Sequence, residues 1–137
     1  MANYECVSRT NYFHVKDAGL FREFMDTVIA DDLHLLEEED NDSNTVFAFG
    51  CEGIIYGIPN ENGDSSLDLF FEELQKHIAD NDAVILTEAG HEKLSYVTGY
   101  ATVITNADLQ TIGIETFALA KAKEMLENPD FETKTDY

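Results

Sequence analysis

Positive charge is what this chain most lacks. Lysine and arginine together number 8 against 28 aspartates and glutamates, a formal net charge of -20. A surface so poor in cations does not neutralise phosphates, which excludes direct binding of DNA or RNA and electrostatic docking on anionic membranes. Long hydrophobic runs are missing too, with nothing near the ~20 apolar residues that span a bilayer. Met1-Ala2-Asn3-Tyr4-Glu5 has no basic region leading into an apolar one, so a cytosolic protein is expected. There are only two cysteines. Cys6 and Cys51 sit in apolar, strand-like segments without a CxxC or Cys/His cluster, and read as buried free thiols.

Catalytic and ligand signatures are equally scarce. Gly50-Cys51-Glu52-Gly53 and Gly57-Ile58-Pro59 lack the spacing of a phosphate-binding loop, and no GxSxG elbow is present. His14, His34, His77 and His91 are dispersed, without HExxH or HxH spacing, so no metal or other cofactor is expected. Asp40-Asn41-Asp42-Ser43-Asn44 begins like a calcium loop. Thr45 then stands where the loop needs glycine and Cys51 where it needs glutamate, which leaves an Asx-rich turn. His91 lies between Glu88 and Glu92 in sequence and would be a general-base candidate if the three converged, or otherwise part of a solvated turn. A non-enzyme is expected.

Apolar and aromatic residues are plentiful. Nine Phe and six Tyr in 137 residues describe a globular chain, long enough to bury roughly two-thirds of its unfolded surface in one core. Tyr4–Val15 predicts a strand, bent or bulged near Arg9-Thr10-Asn11. Asp17 then caps a helix whose Leu20, Phe21, Phe24, Met25 and Val28 share one face. Leu33–Glu38 and Thr45–Ile58 predict strands joined by the polar 39–44 loop, the second interrupted by Gly50, Gly53 and Gly57. Ser65 with Asp68 resembles a capping box before a helix bearing Leu67, Phe70, Phe71, Leu74 and Ile78. Ala83–Glu88 is a strand whose apolar run suits a central position buried on both faces. Residues 89–93 then turn into a strand over Leu94–Thr105. A short extended piece at 111–114 and a helix ending at Asn128-Pro129 complete the order.

The expected fold is α+β: a ferredoxin-like β-α-β-β-α-β antiparallel sheet with an extra C-terminal strand and helix. One domain over residues 1–128 and an irregular tail over 129–137 are expected. The negative charge is concentrated. Residues 31 to 92 carry 17 acids against Lys76 alone, and both flanks are nearly balanced. Glu37, Glu38, Glu39, Asp40, Asp42, Asp64, Asp68 and Glu72 form the candidate partner-binding acids. Spaced carboxylates of this kind either imitate a phosphate track or make a solvated, highly soluble face.

Ser8-Arg9-Thr10-Asn11-Tyr12-Phe13-His14-Val15, Glu88-Ala89-Gly90-His91-Glu92-Lys93-Leu94 and Asn128-Pro129-Asp130-Phe131 before the terminal Tyr137 carry a resemblance. With these segments the chain resembles small acidic proteins of unassigned function encoded on mobile elements of Gram-positive bacteria. The resemblance implies a cytosolic bacterial accessory protein without catalytic residues. Because acidic decoys of DNA occur among such cargo, it also points towards an antagonist of host defence. Two functional readings follow: an acidic interaction module docking on a basic, nucleic-acid-binding protein, or a small ligand-binding or regulatory domain. The second would use the sheet face or a dimer interface, with Tyr56, Tyr96 and Tyr100 near the pocket.

Overall fold

The computed structural model describes residues 4–134. A six-stranded sheet forms its centre, in the order β3 (His34–Glu39), β4 (Thr45–Cys51), β1 (Glu5–Thr10), β7 (Val84–Glu92), β8 (Tyr96–Ile104), β9 (Leu109–Gly113). Every neighbouring pair is antiparallel. A small second sheet joins β2 (Ile29–Ala30), β5 (Ile55–Pro59) and β6 (Ser65–Ser66). The helices are α1 (Ala18–Met25), α2 (Leu67–His77) and α3 (Ile114–Leu126). The chain is therefore mixed α+β. Among the described residues no helix is long and apolar enough to cross a membrane.

One face of the large sheet is covered by α1, α2 and β5, for reasons visible in their apolar spacing. Phe21, Phe24 and Met25 share one side of α1, and Phe70 and Leu74 one side of α2, all buried. They meet Phe13, Phe47 and Phe49, while Ile55 and Ile58 of β5 extend the same core. Phe24 stacks on Phe70 at 5.8 Å, and Phe49 meets Phe70 edge-on at 6.1 Å. Asp17 caps α1 by accepting from the Leu20 amide. The α2 cap is Ser66, which accepts from Leu69, one residue beyond the Ser65 expected from sequence.

The expected irregularity near Asn11 is real. β1 stops at Thr10, and the Asn11 side chain continues the ladder by donating to Ala83 O and accepting from the Ile85 amide. Phe13 then exchanges both backbone hydrogen bonds with Phe47. The long strand expected over 45–58 is two strands in two sheets, divided at Glu52-Gly53-Ile54. Gly57 has φ +121°, and a Cβ there would run into the Ser66 carbonyl, so only glycine lets β5 and β6 approach.

The opposite face of the sheet is bare over much of β1, β7, β8 and β9, whereas Val46 and Ala48 of β4 are buried there. α3 approaches it only near the β8–β9 edge, where Ile114 lies over Gly99, and none of its residues is buried. β7 does lie inside the sheet, as its sequence suggests, but it is not buried on both faces: Val84 and Leu86 are covered whereas Ile85 is 43 % exposed. No helix or strand follows Leu126 among the described residues, and positions 1–3 and 135–137 of the chain lie outside them.

Candidate functional site

The eight acids singled out from sequence do not form one surface. Strand alternation puts Glu37, opposite Phe47, on the helix-covered face and Glu38, opposite Val46, on the bare one. Glu39 ends the edge strand β3. Glu37 is already engaged, because Arg22 donates from Nε and Nη2 to its two oxygens at 2.6 and 2.9 Å. That hydrogen bonding holds its carboxyl below the usual range. Asp40 is engaged as well. One oxygen lies 2.7 Å from His14 Nε2, and the other accepts the Asp42 and Asn44 amides. Its carboxyl is held down at about 2, first by His14 and then by those amides.

The remaining acids lie far apart. Asp64 is in the β5–β6 turn, and Asp68 and Glu72 are one turn apart on the exposed side of α2. His14 ties the Asp40–Asp42 loop to Asp82, beyond the C-terminus of α2. Asp64 and the start of α2 are thus set off from that loop by the length of an eleven-residue helix, roughly 16 Å at 1.5 Å per residue, with Glu72 midway.

A more localised site lies where β1, β7 and β8 run on past the helices. Leu86, Glu88 and Gly90 of β7 point to the helix-covered face, and Tyr100 stands directly opposite Glu88. Tyr4 Oη donates to Glu88 Oε2 at 2.8 Å. It can do so because residue 90 is glycine: a Cβ there would stand 2.5 Å from the Tyr4 hydroxyl. The Tyr96 ring meets Tyr4 edge-on at 5.9 Å. Tyr4, Tyr96 and Tyr100 with Glu88 and Glu92 line an open depression. Behind it, Glu88 and Tyr100 also border an inner cavity of about 180 Å³, with Ser8, Thr102 and Thr111 supplying hydroxyls and Ile55, Leu67 and Phe71 the apolar wall.

Burial, and then the charge of Glu88, pushes the Tyr100 phenol up to about 12. Burial and the hydrogen bond to Glu88 push Tyr4 upward too. Both phenols therefore remain protonated beside the carboxylate. Glu88 makes no salt bridge among the described residues. A half-buried anion among tyrosine rings is suited to a cation, which gains from the carboxylate and the ring faces together.

His91 does not join this group. It lies on the other face of β7, 3.7 Å from Glu5, so the Glu88–His91 pairing suggested by proximity in sequence is not formed. β7 also continues to Glu92, and the turn follows it instead of occupying 89–93. Tyr56 is likewise elsewhere, near Asp31. Among the described residues no cluster of His, Cys, Asp and Glu is arranged to hold a metal ion. The site was legible only as the alternations Leu86-Glu88-Gly90 and Tyr96-Thr98-Tyr100-Thr102. Placing the turn too early breaks the register that joins them. Comparison with protein-family models, curated proteins and solved structures finds no match.

Proposed function

We propose that this chain is a non-catalytic interaction domain for a basic, nucleic-acid-binding protein, and that the cleft at Glu88 receives a lysine or arginine side chain of that partner. The observation that carries the reading is the unneutralised Glu88 carboxylate, held by Tyr4 and bordered by Tyr96 and Tyr100. The inner cavity, at about 180 Å³, is smaller than the ~300–1,000 Å³ of a typical small-molecule pocket and suits a single side chain better than a cofactor. The net charge of -20 would speed encounter with a cationic surface. The spread of the carboxylates favours a local anchor over extended imitation of a phosphate track.

The same reading takes residues 5–92 as a ferredoxin-like split βαβ unit. Its support is the strand order β3-β4-β1-β7, with antiparallel neighbours and two helices on one face. The site then occupies sheet surface that the helices leave free.

Titration of fluorescent oligo-lysine and oligo-arginine peptides tests the proposal. Glu88→Gln should weaken binding about tenfold or more, as expected for removal of a charged anchor. Charge reversal at Glu38 and Asp42 should mainly slow association and flatten its salt dependence. Equal affinity for Glu88→Gln and wild type would sink the reading. A second reading, a small organic amine as ligand, is favoured by one feature: Glu88 and Tyr100 border both the inner cavity and the outer depression. Its mark would be a thermal shift, induced by a diamine, that survives high salt.

A further inference from the structure

We infer that the bare face of the six-stranded sheet, together with the start of α3, is a self-association surface whose occupant is a second copy of this chain. The first reason is an inconsistency between local sequence and exposure. Ala83-Val84-Ile85-Leu86 has the unbroken apolar character of a strand covered on both sides, yet Ile85 is 43 % exposed in the single chain. Around it Val7, Val97 and Ile112 are exposed on the same face, Val97 at 58 %, and Phe117 of α3 projects beside them at 66 %. Two depressions cross this surface. One of about 630 Å³ is bordered by Val7, Leu94 and Val97, and one of about 460 Å³ by Ala101, Ile112 and Phe117. Ala89 borders both, so the apolar trough is continuous.

Size and charge identify the occupant. The uncovered part spans the four strands β1, β7, β8 and β9, five to nine residues long. At ~4.8 Å between strands and ~3.3 Å per residue it projects about 400 Å² before α3 is added, about half of the ~800 Å² that each partner contributes to a standard interface. An apolar patch of several hundred Å² is often an interaction site. Two chains of charge -20 meet most readily where opposite charges nearly cancel. Around the trough Glu5 and Arg9 project from β1 on this face and Lys93 stands beside Leu94, while Glu38 lies at the far β3 edge. A trough beside a projecting Phe117 is also suited to a two-fold arrangement, in which each copy offers the same projection and the same groove.

Sedimentation equilibrium and light scattering of the intact chain at tens of micromolar test this. The expected particle has twice the 15.4 kDa chain mass. Its dissociation constant should fall as salt rises from about 0.05 to about 0.5 M, because screening relieves repulsion between like-charged copies. Val97→Lys and Phe117→Asp, both at exposed positions, should keep the circular dichroism spectrum and weaken association about tenfold or more. A wild-type monomer at both salt concentrations overturns the inference, whether the face then proves to bind lipid vesicles, another protein or nothing. A dimer unaffected by either substitution overturns it as well, since the interface would lie elsewhere.

Discussion

His14 Nε2 lies 2.7 Å from Asp40 Oδ2, closing an ion pair between the segment that follows β1 and the β3–β4 hairpin loop. The other ring nitrogen is 2.9 Å from Asp82, so one imidazole joins three segments that are remote in sequence. Hydrogen bonding to Asp40, then Asp82, raises the His14 pKa above its ordinary 6.5. Burial alone would raise the Asp82 carboxyl, but bonds from the His14 amide and ring and the Ala83 amide outweigh it and hold it below its usual value.

This clamp sets a pH window for stability. The His14 contribution is complete below 6.5 and is lost as pH rises through the elevated folded value. The Asp40 contribution is complete above 3.8 and is lost as pH falls towards about 2. Thermal melts of wild type and His14→Gln should therefore differ most between about pH 4 and 6.5 and converge on both sides. A constant difference across the whole range would exclude the ion pair as its cause.

Phe70→Ala should cost about 3–5 kcal/mol, because the side chain is fully buried against Phe24, Phe49 and Phe71 and its removal leaves a cavity. Urea denaturation checks this through the midpoint at unchanged slope.

Gly57→Ala should destabilise by on the order of 1–3 kcal/mol, since φ +121° is a region that alanine avoids and the added methyl meets the Ser66 carbonyl. Gly63, in an open turn with nothing near its Cβ position, is the control. Gly63→Ala should cost less than Gly57→Ala in the same denaturation assay.

Cys6 and Cys51 both direct their thiols at Gly53 O, at 3.2 and 3.3 Å. Cys51 is buried as expected but Cys6 only half-buried, and burial raises both, Cys51 to about 11. The native protein should therefore react with a thiol-specific disulfide reagent much more slowly than the unfolded chain, with Cys51 the slower of the two. Mass spectrometry of partly labelled protein separates the sites. Equal rates for native and unfolded protein would contradict the burial.

Gly90→Ala should push Tyr4 away from Glu88 and weaken oligo-lysine binding, and because the added methyl also meets Cys6 Cβ it should lower stability as well. Loss of affinity comparable to that of Glu88→Gln, measured below the lowered thermal midpoint where circular dichroism still reports a folded chain, is the expected result.

The sequence by itself determined the kinds and order of the main elements and much of the core. The helical spacing of Phe21, Phe24 and Met25, and of Phe70 and Leu74, identifies the buried sides of α1 and α2, because a helix repeats its face every three to four residues wherever it is placed. Local chemistry also marked the Asp17 cap and the Asx turn at Asp40, whose hydrogen bonds stay within a few residues. Tertiary structure alone decided which charges remain free. Arg22 engages Glu37 across 15 positions and His14 engages Asp40 across 26, while among the described residues Glu88 has no cation. It also decided that Tyr4 reaches Glu88 across 84 positions and that one side of β7 lies bare. These outcomes depend on strand register and on which face each layer covers, and both are set by the chain as a whole.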